Sequence, residues 1–138
     1  MAELDRRRTF KYNERIRNQG NASMENIKYN WTDIGGEVVK DNEVYLLKDN
    51  KTLNNLVLSS TCLYRGQETR GHRHAGQEEV YVFEQGWGEM IVGDEDSEPF
   101  PVRQGCYVLI PDGAFHKVRN IGDMNLIFNC IFDGKRNH

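Results

Sequence analysis

The sequence has few cysteines, few prolines and no long apolar run. Its 138 residues include three cysteines and three prolines. The cysteines are odd in number and widely spaced, which argues against a disulfide framework and a paired-cysteine zinc site and favours a reducing cytoplasm. No apolar stretch approaches the roughly 18 residues that span a bilayer, so we expect no membrane segment.

Neither sign of charge dominates the chain. Lysine and arginine together number 18, aspartate and glutamate together number 21, and the formal net charge is −3. A dedicated nucleic-acid-binding domain carries a basic surface that this balance does not provide, so we expect no nucleic-acid partner. The length fits one folded domain, because a domain holds roughly 150 residues.

Composition divides the chain into two zones. Residues 1–35 are polar and rich in arginine, asparagine and glutamate, which predicts a polar N-terminal extension. This extension is either a solvated arm or short helix, or an arm that wraps a second subunit through Tyr29 and Trp31. Residues 36–138 alternate short apolar runs with Gly, Asp and Asn, which predicts one all-β domain, a sandwich or barrel. The predicted strands include those at 43–47, 55–64, 79–83, 89–92, 106–110, 116–120 and 125–132.

Three of the four histidines follow a spacing pattern. His72 and His74 are separated by one residue at the predicted start of a strand, so both side chains lie on one face. Glu79 begins the next strand after a short turn and can fold back beside them. His116 opens a later strand, after the turn signal at 111–113. Three imidazoles and one carboxylate suit one divalent ion, which would be Mn, Fe, Ni, Co, Cu or Zn.

The segment with His72, His74 and Glu79 and the later segment with His116 resemble the first and the second sequence motif of the cupin superfamily, respectively. The first segment has five motif residues with intervals of five, one, four and six residues: Gly66, His72, His74, Glu79 and Gly86. The second has five motif residues with intervals of five, one, two and three residues: Gly105, Pro111, Gly113, His116 and Asn120. The resemblance implies a double-stranded β-helix (jelly-roll) barrel with His72, His74, Glu79 and His116 directed into its mouth as metal ligands.

The expected site leaves room for a substrate. Four protein ligands leave one or two positions on an octahedral ion, enough for a hydroxy-carbonyl group, or for O₂ if the ion is iron. The ion would act as a Lewis acid that polarises a carbonyl. Tyr81 and Phe83 share the face of Glu79 by alternation, so we expect both rings to line the cavity. Glu79 and Tyr81 are the candidate catalytic residues, and the Tyr81 hydroxyl is suited to orienting a substrate or moving a proton.

A narrower similarity concerns the rim of the site. The stretch from Thr69 to His74 and the Glu79-Val-Tyr81 stretch are similar to the Thr-x-Gly-His-x-His and Glu-x-Tyr patterns of cupin-type glucose-6-phosphate isomerases. This similarity implies that Thr69, Gly71 and Tyr81 contact the substrate. We therefore expect a metal-dependent isomerase or epimerase that acts on a small sugar phosphate or another polar hydroxy-carbonyl compound.

Two other functions stay open at this point. The same ligand set supports O₂ activation in other members of the superfamily, which makes an Fe(II)-dependent dioxygenase the first alternative. A non-catalytic sugar-binding or small-ligand-binding protein is the second. The strand edges of a small barrel need cover, so we also expect a homodimer.

Overall fold

The computed structural model describes residues 27–135, and there it consists of β-strands joined by turns and loops. The strands are β1 (Glu37–Asp41), β2 (Tyr45–Asn50), β3 (Leu56–Leu63), β4 (Glu79–Gln85), β5 (Trp87–Gly93), β6 (Phe100–Arg103), β7 (Tyr107–Ile110), β8 (Phe115–Asn120) and β9 (Leu126–Asp133). The all-β expectation is confirmed. Within this range no helix has the length and apolar character needed to cross a membrane.

The strands form two antiparallel sheets. The larger sheet has the order β1-β2-β3-β9-β4-β7, and the smaller has the order β6-β5-β8. The final strand β9 lies between β3 and β4, so strands from distant parts of the chain are neighbours. This interleaved order is the jelly roll that the cupin motifs implied. It also places the start of β4 opposite the start of β8, where Glu79 and His116 approach to 3.2 Å.

Strict alternation builds the interior of the larger sheet. In β4, Glu79, Tyr81 and Phe83 are buried and the residues between them are partly exposed, because successive side chains point to opposite faces. Cross-strand pairing then places Tyr81 opposite Cys130, and Phe83 opposite Phe128, on β9. The polar side chain of Glu79 and the apolar side chain of Phe83 therefore lie at opposite ends of one strand, roughly 13 Å apart at about 3.3 Å per residue.

The end of the barrel beyond Phe83 is closed by apolar side chains, which we call the floor cluster. Its members share an exposed fraction of 2% or less and are Leu63, Phe83, Met90, Leu126 and Phe128. The Phe83 and Phe128 rings lie 5.2 Å apart between centroids. Burial of such side chains contributes about 1.5–3 kcal/mol each, so the floor cluster is a main source of folding free energy.

The described residues that precede β1 contact β2. The Lys48 ammonium lies 2.9 Å from the Asp33 carboxylate, and the Asn50 side-chain amide donates to the Ile34 carbonyl at 2.7 Å. Tyr29 and Trp31 are half-buried. Residues 1–26 lie outside the described range, so the arm that wraps a second subunit stays a prediction. The boundary expected at residue 35 and the homodimer also stay predictions.

One expected strand is irregular in the structure. The segment that carries His72 and His74 is extended, but it pairs with β8 only at the isolated bridges Glu68–Arg119 and His72–His116. The Gly71 backbone has a φ of 82°, which a regular strand does not contain. Two observed strands, β1 and β6, lie outside the predicted set. All residues of β1 are exposed, and β6 contains Pro101 at the edge of its sheet, so neither has a clear strand pattern.

Candidate metal centre

Backbone pairing brings the three expected histidines together. The His72 N–H donates to the His116 carbonyl at 3.1 Å, and the His116 N–H donates to the His72 carbonyl at 2.9 Å. The His72 ring centroid then lies 4.4 Å from that of His116 and 4.3 Å from that of His74. One nitrogen from each of the three rings lies within 4.8 Å of the others, and this geometry could hold a metal ion.

A hydrogen bond fixes the orientation of the His116 ring. Its Nδ1 lies 3.0 Å from the Ala114 carbonyl oxygen, which can only accept, so Nδ1 carries the proton. In the neutral imidazole the other nitrogen, Nε2, then carries no proton and offers a lone pair. The ring is 2% exposed, and Nε2 has no hydrogen-bond partner. An oriented imidazole whose second nitrogen bonds a backbone carbonyl is the usual arrangement of a metal-binding histidine.

Glu79 places a carboxylate beside these rings. Its Oε2 lies 3.2 Å from His116 Nε2 without hydrogen-bond geometry, and its Oε1 lies 4.0 Å from His74 Nε2. The Gln77 side-chain amide donates to Oε1 at 3.1 Å. Burial raises the pKa of Glu79, but the contact with His116, the positive charge that His116 and His74 can carry and the Gln77 bond outweigh it, so this pKa lies below its usual value.

Unpaired acceptor atoms concentrate at this place. In residues 27–135, four buried side-chain atoms lack a hydrogen-bond partner, and three of them are Gln77 Oε1, Glu79 Oε2 and His116 Nε2. A buried acceptor without a partner costs about 1–3 kcal/mol. When His116 is neutral, its Nε2 lone pair and the Glu79 oxygen repel each other at 3.2 Å, so either a proton or a metal ion between them is favourable. The three imidazole nitrogens therefore fit a divalent cation, and the neighbouring Glu79 carboxylate suits the role of a fourth ligand, which stays a prediction.

We call the side chains at this end of the barrel the mouth cluster, which comprises His72, His74, Gln77, Glu79 and His116. Its exposure is graded: His72 is exposed, His74 is half-buried and His116 is buried. The cluster is thus open to solvent on the side of His72. A small molecule would approach the imidazoles from that side.

The rim residues Thr69 and Gly71 hold the histidine segment against β8. The Thr69 N–H donates to the Val118 carbonyl at 2.9 Å, and the Val118 N–H donates to the Thr69 hydroxyl at 3.0 Å. A Cβ atom at position 71 would overlap the Phe115 ring, and the φ of 82° is one that residues with a Cβ rarely adopt, so glycine is favoured there. Both residues border the mouth cluster, and contact with a substrate stays a prediction for each.

Tyr81 forms the wall beneath His116. Its ring is stacked on Phe128 at 5.2 Å and lies edge-on to His116 at 5.7 Å. Burial raises the pKa of Tyr81 well above its usual value, and Cys130 and Glu79 raise it further. The hydroxyl is therefore neutral at physiological pH. The expected role of Tyr81 in proton transfer or substrate contact stays a prediction.

Gln77 is the member of the mouth cluster that the sequence analysis missed. It is 2% exposed, and its amide bonds the Glu79 carboxylate. One signal was present, because a residue two positions before Glu79 shares its face in extended chain. Asn120, by contrast, belongs to the second motif but serves the fold: its amide donates to the Leu63 and Met124 carbonyls at 3.0 Å.

Comparison with known proteins relates the sequence to archaeal relatives. The chain is 30% identical over 106 residues to glucose-6-phosphate isomerase of Pyrococcus horikoshii, a match that covers 70% of this chain and 56% of that protein. An uncharacterized protein of Methanocaldococcus jannaschii is 37% identical over 65 residues, which cover 47% of this chain and 50% of that protein. The chain spans about half the length of the curated relatives it matches.

Solved structures share the fold. The oxalate decarboxylase of Bacillus subtilis, which has Mn(II) centres, superposes with a TM-score of 0.66 at 22% identity and covers 74% of this chain and 29% of its own. A protein of Thermotoga maritima, described as a predicted oxalate decarboxylase, gives a TM-score of 0.57 at 19% identity over 64% of this chain and 79% of its own. The family model of the cupin domain matches residues 61–132, more than half of the chain and a range that contains both motifs. The protein therefore belongs to the cupin family.

Proposed function

We propose that this protein is a metal-dependent enzyme of the isomerase or epimerase type. Its substrate class is a small sugar phosphate or another polar hydroxy-carbonyl compound. The observation that carries the proposal is the convergence of three imidazoles and the Glu79 carboxylate, with Glu79 Oε2 and His116 Nε2 buried and unpaired. The relatives named glucose-6-phosphate isomerase support the substrate class.

The residues of the mouth cluster suit this chemistry. A bound divalent ion would supply Lewis-acid polarisation of a carbonyl. Isomerisation of a hydroxy-carbonyl compound also moves a proton between neighbouring carbons, which requires a proton acceptor. Glu79 is ionised at neutral pH because its pKa lies below the usual value, so the carboxylate oxygen that does not bind the ion is the candidate acceptor for that proton. Tyr81 stays neutral, and its ring forms an aromatic wall that excludes water on the side of the site that faces the barrel interior.

The rim carries positive charge that suits an anionic substrate. The Arg73 guanidinium lies 5.9 Å from the centroid of the Phe115 ring and donates to the Gly113 carbonyl at 3.3 Å. Both contacts hold this cation next to the histidine segment. A phosphate or carboxylate that approaches the exposed side of His72 would be attracted to it.

A turnover assay tests the proposal. Metal-free protein is reloaded separately with Mn(II), Fe(II), Ni(II) or Zn(II), and NMR follows the interconversion of aldose and ketose phosphates. We expect turnover with at least one metal and its loss on addition of a chelator. Absence of turnover with every metal and substrate contradicts the proposal. Oxygen uptake by the Fe(II)-loaded protein would then identify a dioxygenase, and ligand-induced stabilisation without product would identify a binding protein.

A further inference from the structure

We propose that Gln77 is a positioning residue that aligns the Glu79 carboxylate for metal binding. This inference rests on the proposed metal site. Gln77 lies in the turn segment between His74 and β4, and its side chain is 2% exposed. Its Nε2 donates to Glu79 Oε1 at 3.1 Å. No residue of the two cupin motifs occupies this position, so the motif spacing alone does not assign it a role.

The chemistry of the pair fixes the direction of the amide. A carboxylate oxygen accepts hydrogen bonds and does not donate them, so Nε2 of Gln77 must face Glu79. The opposite orientation would place the amide oxygen against the carboxylate oxygen. The bond therefore restrains rotation of the Glu79 carboxylate about its last side-chain bond.

This restraint assigns different tasks to the two carboxylate oxygens. Oε1 is occupied by the Gln77 amide, whereas Oε2 has no hydrogen-bond partner and lies 3.2 Å from His116 Nε2. The unpaired oxygen is thus the one next to His116, whereas Oε1 is bonded to Gln77 and lies 4.0 Å from His74 Nε2. Hydrogen bonds to ligating carboxylates orient them in the same way at other metal centres.

Gln77 also differs from a glutamine that serves the fold alone. Gln85, on the same strand as Glu79, donates its amide to the Asn125 backbone carbonyl at 3.1 Å, far from the mouth cluster. Gln77 donates instead to a candidate ligand, and its own Oε1 is buried without a partner. Leaving a buried acceptor unpaired lowers stability. Such a cost is expected where a residue is retained for the site and not for packing.

The test compares Gln77→Met with the matched variant Gln85→Met. Both changes remove one amide donor, keep the length of the side chain and eliminate a bond of equal length. Co(II) is titrated into each metal-free protein, and its visible spectrum reports affinity and coordination geometry together. We expect Gln77→Met to bind Co(II) about 10- to 100-fold more weakly than the unmodified protein, with an altered spectrum. Gln85→Met should keep the affinity and the spectrum.

The outcomes separate this inference from the proposed function. If the unmodified protein binds no Co(II), both the metal site and the role of Gln77 are overturned. If it binds Co(II) and Gln77→Met does so with equal affinity and spectrum, only the role of Gln77 is overturned. An equal loss in Gln85→Met would also contradict it. Should Gln77→Met not fold, Gln77→Asn keeps the amide but is one methylene too short to reach Glu79, and the same loss is expected.

Discussion

The two ends of the barrel interior differ in whether they contain buried polar atoms without a hydrogen-bond partner. The floor cluster consists of apolar side chains that are 2% exposed or less and pack on one another. The mouth cluster contains three of the four buried side-chain atoms in residues 27–135 that have no hydrogen-bond partner. The floor therefore supplies stability, whereas the mouth keeps acceptor atoms available for a cation.

The same strands build both ends. β4 begins with Glu79 in the mouth and reaches Phe83 in the floor, and β8 carries His116 in the mouth and the buried Val118 beyond it. Because each strand contributes to both clusters, the rigid packing of the floor also fixes the ligand positions in the mouth. Substitutions at the two ends should nevertheless have different consequences, and these differences are measurable.

The largest effect on stability is expected from Phe83→Ala in the floor cluster. The side chain is 0% exposed and packs against Phe128, so its removal leaves a cavity. The free energy of unfolding should fall by about 3–5 kcal/mol, as measured by chemical denaturation of the metal-free protein. A loss below about 1 kcal/mol would show that the floor does not carry the stability assigned to it.

Glu79→Gln in the mouth cluster should weaken metal binding strongly and change stability only slightly. The change keeps the side-chain volume and removes the charge, so Zn(II) affinity should fall by at least the roughly 10- to 100-fold that loss of an outer-shell partner produces. The free energy of unfolding of the metal-free protein should change much less than in Phe83→Ala. Isothermal titration and denaturation measure the two quantities.

Glu84→Gln is the control for the charge change. Glu84 is also in β4, is half-buried, and lies outside the inward-facing set of Glu79, Tyr81 and Phe83. We expect its Zn(II) affinity to equal that of the unmodified protein. An equal loss of Zn(II) affinity in Glu84→Gln, or no loss in Glu79→Gln, would contradict the assignment of metal binding to the mouth cluster.

The Glu79 carboxylate should also make the free energy of unfolding depend on pH, and this effect is smaller. The pKa of Glu79 is lower in the folded protein than its usual value, so ionisation stabilises the fold. This contribution is complete above the unfolded pKa of about 4.3 and is lost as the pH falls through the folded value. Below about pH 4.3 the metal-free unmodified protein should therefore lose unfolding free energy relative to the metal-free Glu79→Gln variant. A difference that is independent of pH contradicts the lowered pKa.

The smallest effect is expected on the outer side of β8. Lys117 follows His116 but points away from the mouth cluster, and its ammonium pairs with the Glu68 carboxylate at 3.1 Å. Both side chains are partly exposed, so Lys117→Met should lower the free energy of unfolding by less than about 1 kcal/mol. Zn(II) affinity should be unchanged in titration calorimetry. A large loss of affinity would mean that the site extends beyond the inward face.

The sequence predicted much of this arrangement because its determinants are local. Alternation in β4 placed Glu79, Tyr81 and Phe83 on one buried face, as observed, but Phe83 packs in the floor cluster and does not line the cavity as expected. The motif spacing also selected the side chains that the structure brings together at His72, His74 and His116. Their action as metal ligands stays a prediction.

Features that depend on tertiary contacts were not predictable in the same way. The segment with His72 and His74 is irregular at Gly71, whose φ of 82° departs from a strand and which lies beside the Phe115 ring, a residue far along the chain. The bond from Gln77 to Glu79 starts in the loop before β4, where alternation indicates a shared face but does not show that the two side chains are hydrogen-bonded. The exposed strand β1 forms by pairing with β2 and carries no buried face of its own.

The central claim is that the mouth cluster binds a divalent metal ion through His72, His74, Glu79 and His116. Anomalous diffraction from crystals of the Zn(II)-loaded protein tests it most directly. We predict one peak at about 2.0–2.2 Å from a nitrogen of each imidazole and from Glu79 Oε2. A Zn(II)-loaded protein with no peak among these four side chains, or with its peak elsewhere, would contradict this account.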